Sequence, residues 1–178
     1  ITDRKQLAGI SLLSCIRRAL DCGVDFIQIR EKDLSDRALY ELTLRVVALS
    51  RTSKCKILVN GRADIALAAG AHGVHLPSTG IPISRIRPWL PRTFCIGTSV
   101  HSMSEIRAAC QQGANYILVG HLFPTSSKEG LGQPLGLGFL REACSRVSIP
   151  IFGLGGIRPE FIPSVLQTGA AGVAGISL

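Results

Sequence analysis

The sequence predicts one α/β domain over residues 1–178, a single (β/α)8 TIM barrel with minimal loops. Short apolar runs alternate with longer segments of helical spacing, a pattern typical of a parallel sheet covered by helices. A glycine that ends a helix recurs before every second strand. The length of 178 residues matches eight units of roughly 22 residues each, about 176 in all. Together these observations favour a closed barrel over an open sheet.

Seven apolar runs are predicted to form strands, and Ile1-Thr2 is predicted to be the remainder of an earlier one. The seven runs are 26–29, 57–59, 73–76, 94–97, 116–119, 151–154 and 172–176. The chain begins inside a strand and stops at Leu178 without a helix after the last strand. This indicates that both ends of the barrel are trimmed.

Seven helices are predicted between these strands. They cover 12–21, 35–50, 63–69, 83–90, 102–112, 136–147 and 159–167. Ser35 is a candidate N-cap, Ser102 and Glu105 have the spacing of a capping box, and Pro159 suits a first helical turn.

A four-fold repeat supports this order of elements. Each copy has a helix-ending glycine, a small residue and then a strand, and the glycines are Gly23, Gly70, Gly113 and Gly169. They precede the second, fourth, sixth and eighth strands of the predicted barrel. The chain is therefore interpreted as a doubled β-α-β-α unit used four times.

Composition excludes several classes of protein. The 19 glycines follow no three-residue period, and no uncharged stretch reaches the roughly 20 residues of a membrane span. No secretory signal is visible, and the six scattered cysteines form no C-x-x-C pair, so we expect reduced, mostly buried thiols in a cytoplasmic protein. The net charge of +8 comes without a basic run or an aromatic ladder, which disfavours nucleic acid and favours an anionic small molecule.

In barrels of this kind the active site lies at the carboxyl ends of the strands. The chain places a basic and polar set there, with few free carboxylates. Gly155 and Gly156, ahead of a predicted helix, and Ser177 follow the last two strands, where phosphate commonly docks on backbone N–H groups. We therefore predict that Gly155, Gly156 and Ser177 bind phosphate, the alternative being that the two glycines only make a tight turn.

Six motifs in the same order along nearly the whole chain resemble the thiamine phosphate synthase and TenI superfamily of small TIM barrels. They are QIREK at 28–32, VNGRADIAL at 59–67, GVHL at 73–76, IGTSVHS at 96–102, GHLFPT at 120–125 with Lys128, and GGI at 155–157. The superfamily has two branches. The synthase couples a pyrimidine diphosphate to a thiazole phosphate with Mg²⁺, and the TenI-like thiazole tautomerase aromatises a carboxythiazole phosphate without metal.

Two departures from the synthase pattern favour the tautomerase. Gly61 stands where the synthase has the Asp of Asn-Asp-Arg, and Gly80 ends a stretch that is acidic in the synthase. Glycine has no side-chain oxygen for Mg²⁺, so we expect no metal and no other cofactor. Asp64 remains, but it is expected to cap a helix or pair with Arg62.

His121 is the predicted catalytic residue. Synthases usually carry proline at this position, and a histidine there resembles the tautomerase. Imidazole is the side chain that titrates near neutral pH without perturbation. Of the other histidines, His72 is expected to be structural and His75 is more simply explained as a core residue. For His101 the sequence favours neither a cap nor a site residue.

The remaining site residues follow from the resemblance and from charge. Arg30, Lys32 and Lys128 complement a substrate that carries phosphate and carboxylate. Asn60, Ser99, Thr125 and Ser127 match the family's neutral hydrogen-bonding residues for the substrate.

The leading hypothesis is thus a metal-independent thiazole tautomerase of thiamine biosynthesis, with a thiazole phosphate as its small-molecule partner. The alternatives are a Mg²⁺-dependent thiamine phosphate synthase and a regulator that binds thiazole phosphate without turnover. Neither nucleic acid nor a membrane is an expected partner. The sequence leaves the oligomeric state open, a homodimer included.

Overall fold

The computed structural model describes residues 1–125 and 132–176. The chain divides into two compact units: Ile1–Leu76 with Leu90–Cys95, and Pro77–Trp89 with residues 96–178. Each unit has the α/β organisation that the sequence predicts, with parallel strands joined by helices.

The first unit contains three parallel strands in sequence order, β1 (Phe26–Ile29), β2 (Lys56–Asn60) and β3 (Gly73–Leu76). The helices α1 (Leu12–Asp21), α2 (Asp36–Ser50) and α3 (Ala63–Ala68) alternate with them. Ile29, Ile57 and Val74 are fully buried. Such nearly continuous apolar strands are typical of a parallel sheet whose faces are both covered.

The second unit repeats this pattern after a short helical segment. Its elements are α4 (Ile83–Ile86), β4 (Cys95–Val100, which starts at the boundary), α5 (Met103–Gln111), β5 (Tyr116–Gly120), α6 (Gly136–Arg146), β6 (Ile151–Leu154), α7 (Ile162–Leu166) and β7 (Gly172–Ala174). The four strands pair in parallel and in sequence order. Ile96, Ile117 and Leu140 lie in the core.

Seven strands are present in the described residues, one fewer than predicted. Ile1-Thr2 does not form a regular strand. Thr2 nevertheless runs beside β1, because its N–H donates to Gln28 O (2.8 Å) and its Oγ1 accepts from Arg30 N (2.9 Å). Two residues are too short for a ladder, and the closed eight-stranded barrel stays a prediction.

Two helices are shorter than expected because of proline. The segment predicted as a helix over 83–90 is α-helical only over Ile83–Ile86 and continues as a 3-10 turn at Arg87–Trp89, where Pro88 has no N–H for an α-helical bond. The segment 159–167 opens with a 3-10 turn at Pro159–Phe161 before α7 starts. The other helix bounds agree to within one or two residues.

The predicted helix ends are confirmed. Gly23, Gly70, Gly113 and Gly169 all have positive φ, between +69° and +92°. Ser35 caps α2 by accepting from Ala38 N (3.3 Å), and Ser102 caps α5 by accepting from Glu105 N (3.2 Å). The carboxylate of Glu105 instead accepts from His101 N (2.6 Å), one residue earlier than a capping box requires.

All six cysteines are free thiols, as predicted, but their expected burial is wrong for most of them. Cys55 is buried, Cys22 is exposed, and the others are half-buried. Burial raises the pKa of the Cys55 thiol to about 11. Of the described helices, none is long and apolar enough to cross a membrane.

Candidate active site

In the first unit, the segment after β1 carries two of the predicted substrate-binding cations. Arg30 is half-buried and Lys32 is exposed, while Glu31 between them is buried. The Glu31 side chain is only 2% exposed. A buried carboxylate needs hydrogen-bond donors, and here Arg4 supplies them.

Arg4 joins the N-terminal segment to this loop. Its main-chain N–H lies 3.2 Å from both oxygens of Glu31, and its Nη1 donates to Glu31 Oε2 at 3.0 Å. The same guanidinium donates to both oxygens of Asp33, at 2.7 and 2.9 Å, and lowers the pKa of that carboxyl. The loop that carries Arg30 and Lys32 is therefore tied down on both sides of Lys32.

Asn60, at the end of β2, was predicted to donate to the substrate. Its amide Nδ2 already donates to Gln28 Oε1 at 2.9 Å. Gln28 is buried within β1, and it was not among the predicted site residues. A polar residue inside the apolar run FIQI was the signal that could have identified it.

The loop after β2 is built around an arginine. Arg62 donates to both oxygens of Asp64, at 2.9 and 2.6 Å, and also to Asp36 at the start of α2. The guanidinium holds the pKa of Asp64 below its usual range. The predicted pairing of Asp64 with Arg62 is confirmed.

These residues do not fit the Mg²⁺ that the synthase branch requires. Gly61 has φ +71° and offers no side-chain oxygen, and its N–H donates to His75 O (2.8 Å). Gly80 offers none either. The neighbouring carboxylates of Asp36 and Asp64 are both paired with Arg62, which leaves this loop without the one or two free carboxylates that Mg²⁺ uses.

Two of the histidines have the surroundings expected of structural residues. The His72 ring Nδ1 accepts from Ile57 N at 3.0 Å, as expected of a histidine in the turn before a strand. His75 in β3 is 2% exposed, and burial lowers its pKa to about 3. A ring that stays neutral throughout the physiological range suits a core residue better than a proton shuttle.

In the second unit, His121 lies beside the glycine pair that follows β6. A Cβ at Gly155 would be 2.5 Å from His121 Cβ, so the backbones of the two loops are in close contact. Leu122 N donates to Leu154 O (2.9 Å) and Phe123 N to Gly155 O (3.1 Å). The structure therefore brings the predicted catalytic residue and part of the predicted phosphate site together.

The glycine pair forms a tight turn. Gly155 and Gly156 have φ of +92° and +67°, and a Cβ at Gly156 would be 2.6 Å from Pro124 O and 2.7 Å from Phe123 O. The Phe123 ring stacks on Phe161 at 4.6 Å between centroids, which joins the two loops a second time. Only glycine fits this close approach.

The other predicted residues of this unit are placed as follows. Ser99 is half-buried near the end of β4, opposite Leu118, and Thr125 is half-buried after the His121 loop. His101 follows β4 directly, and its ring Nδ1 bonds to Gly120 O. Ser127, Lys128 and Ser177 lie outside the described residues.

Comparison with known proteins identifies the family. A family model described as "Thiamine monophosphate synthase" matches residues 1–178. The chain belongs to this family. The resemblance predicted from the motifs is confirmed.

Its relatives carry synthase names. A "Putative thiamine-phosphate synthase" of Geobacter sulfurreducens is 45% identical over 99% of this chain and 83% of its own length. The "Thiamine-phosphate synthase" of Roseiflexus castenholzii is 38% identical over 99% of this chain and 78% of its own. The solved structure "Thiamine phosphate pyrophosphorylase from Pyrococcus furiosus" is 35% identical, with a TM-score of 0.89 over 99% of this chain and 83% of the other.

Proposed function

We propose that this chain is a thiazole tautomerase of thiamine biosynthesis that works without metal and aromatises a carboxythiazole phosphate. The observation that carries the proposal is the position of His121, at the carboxyl end of β5 and in contact with Gly155. A titratable ring stands there beside a turn suited to bind phosphate. The loop at Gly61 supports the same proposal, because the neighbouring carboxylates of Asp36 and Asp64 are already paired with Arg62.

The chemistry required of His121 is the transfer of one proton. The imidazole accepts a proton from one position of the substrate and returns it at another, so substrate and product are isomers and no co-reactant is consumed. Imidazole suits this task because the ring can both accept and release a proton.

Substrate binding is assigned to the remaining residues of the candidate site. The N–H groups of Gly155 and Gly156 hold the phosphate, assisted by Ser177. Arg30, Lys32 and Lys128 attract the substrate's negative charges, and Asn60, Ser99, Thr125 and Ser127 supply neutral contacts. Tight contacts with Phe123 and Pro124 hold the Gly155-Gly156 turn in place before the substrate arrives.

A thiamine phosphate synthase is the second candidate, and the names of the relatives favour it over the tautomerase. It would couple a pyrimidine diphosphate to a thiazole phosphate and release diphosphate. Its difficulty lies in Gly61 and Gly80, since the loops that should hold Mg²⁺ lack the side chains to do so. A regulator that only binds thiazole phosphate is the third possibility.

One paired assay separates the three. In the first arm the protein receives carboxythiazole phosphate with EDTA, and aromatisation is followed by ultraviolet absorbance and proton NMR. In the second arm it receives pyrimidine diphosphate, thiazole phosphate and Mg²⁺, and diphosphate release is measured. Turnover in the first arm only supports the tautomerase. Turnover in the second arm only overturns it in favour of the synthase, and binding without turnover in either indicates the regulator.

A further inference from the structure

A second histidine supports the peptide that carries His121. His101 is the first residue after β4, and Gly120 is the last residue of β5. The His101 ring Nδ1 bonds to the carbonyl oxygen of Gly120, and Gly120 directly precedes His121 in the chain. The mechanism proposed above gives His101 no part.

This bond determines the protonation of the His101 ring. A carbonyl oxygen can only accept, so Nδ1 must be the donor and must carry a proton. In the neutral ring, Nε2 is then the unprotonated nitrogen. His101 therefore donates its Nδ1–H to the main-chain carbonyl of Gly120.

The backbone of His101 is itself held by the start of α5. The main-chain N–H of His101 donates to Glu105 Oε2 at 2.6 Å, and Glu105 N donates to the capping hydroxyl of Ser102 at 3.2 Å. In a capping box the Glu105 carboxylate would accept from the main-chain N–H of Ser102, whereas here it accepts from that of His101. The start of α5 therefore fixes the backbone from which the imidazole extends.

Gly120 is also held on its opposite side. It pairs with Leu154 of β6, and a Cβ at Gly120 would be 2.4 Å from Leu154 O. Leu122 N donates to that same oxygen. His121 thus follows a glycine whose backbone is packed against β6 and whose carbonyl is bonded to His101.

We propose that His101 is a positioning residue for His121: its Nδ1–H holds the Gly120 carbonyl and so sets the direction in which the His121 side chain leaves the end of β5. This inference rests on the proposed function in one respect, since it takes His121 to be the proton shuttle. A shuttle that is displaced by about 1 Å loses on the order of 100-fold in rate, so this support is directed at the catalytic step.

The test compares two substitutions of similar size. His101→Asn keeps an N–H donor on the atom attached to Cγ, as in the histidine ring, whereas His101→Leu removes the donor. We expect His101→Leu to lower kcat at least about tenfold with KM unchanged, and His101→Asn to restore most of the loss. Equal losses in both variants would overturn the proposal, because the ring itself would then be needed. Full activity of His101→Leu would also overturn it.

A measurement that does not depend on turnover completes the test. In uniformly ¹⁵N-labelled protein, we expect the His101 ring to give the signature of the Nδ1–H tautomer. The main-chain amide signal of His121 should shift in His101→Leu and stay near its wild-type position in His101→Asn. An unshifted signal in His101→Leu would overturn the positioning role. If this result holds and the wild-type protein still fails to aromatise the substrate, the proposed function is wrong while the support of His121 by His101 stands.

Discussion

Glu31 receives hydrogen bonds from both the main chain and the side chain of Arg4, two residues that lie 27 positions apart. The carboxylate is buried among residues of the first unit, and it stands between the two cations proposed to bind substrate. Its pairing with Arg4 stabilises the loop that presents the proposed substrate-binding residues Arg30 and Lys32. The loop after β1 is held in place without the use of Arg30 or Lys32 side chains.

Glu31→Gln should therefore destabilise the protein. The amide keeps the shape of the carboxylate, but it cannot accept hydrogen bonds at both positions and it loses the charge-assisted bond from Arg4. We expect the free energy of unfolding to fall by about 1–3 kcal/mol. Urea unfolding followed by circular dichroism measures it. Asp33→Asn is the control, since Asp33 bonds to the same guanidinium from an exposed position and should change little. Equal stability of Glu31→Gln and the wild type would contradict this account of the loop.

Arg30→Ala should weaken substrate binding with little effect on the chemical step. A charge-assisted contact to an anion that is present throughout the reaction is worth about 1.5–3 kcal/mol, which corresponds to roughly 10- to 150-fold in KM. Steady-state kinetics separate KM from kcat. Arg37→Ala is the matched control, because Arg37 is exposed on α2 and its ion-pair partner among the described residues is Glu41. A fall in kcat at constant KM would show that Arg30 takes part in catalysis instead.

Metal removal should leave aromatisation unchanged. Gly61 and Gly80 carry no side-chain ligand atoms, and Arg62 pairs with the carboxylates of Asp36 and Asp64. We expect the same rate in EDTA and in added Mg²⁺. If EDTA abolished the rate and Mg²⁺ restored it, the reaction would need a metal that is held by residues other than Asp36 and Asp64.

Gly156→Ala should distort the turn proposed to bind phosphate. The new Cβ would meet the main-chain oxygens of Pro124 and Phe123, and φ is +67°. A cost above about 1 kcal/mol is expected, together with a raised KM for the phosphorylated substrate. Gly138→Ala in α6 is the control, because a Cβ built there has no neighbour within 4 Å among the described residues, and alanine favours a helix by roughly 0.5–1 kcal/mol. Similar stability changes in the two variants would contradict the close packing of this turn.

Local sequence signals predicted the helices and strands well, but they did not predict the hydrogen bonds between distant parts of the chain. Helix α1 has the predicted bounds, and the helix-ending glycines have the predicted backbone, because both depend on residues close together in the chain. The bonds from Arg4 to Glu31 and from His101 to Gly120 join residues 27 and 19 positions apart. No periodicity marks such pairs. Gln28 and Pro88 differ from these pairs, because the local sequence did contain a signal for each. Gln28 is a polar residue in an apolar strand, and Pro88 has no N–H for a helical hydrogen bond.

His121→Ala is the decisive substitution for the proposed chemistry. Positioned proton transfer contributes on the order of 100- to 10,000-fold, whereas the fold and the turn at Gly155 and Gly156 do not depend on the imidazole. We expect kcat to fall at least about 100-fold, with thermal unfolding and the affinity for the aromatic carboxythiazole phosphate product near their wild-type values. His121→Gln should be as inactive, because an amide can donate and accept hydrogen bonds but cannot take up the proton. If His121→Ala kept full activity, His101 would be the next base to test, since its Nε2 is unprotonated in the neutral ring. The buried and neutral His75 would remain a poor candidate.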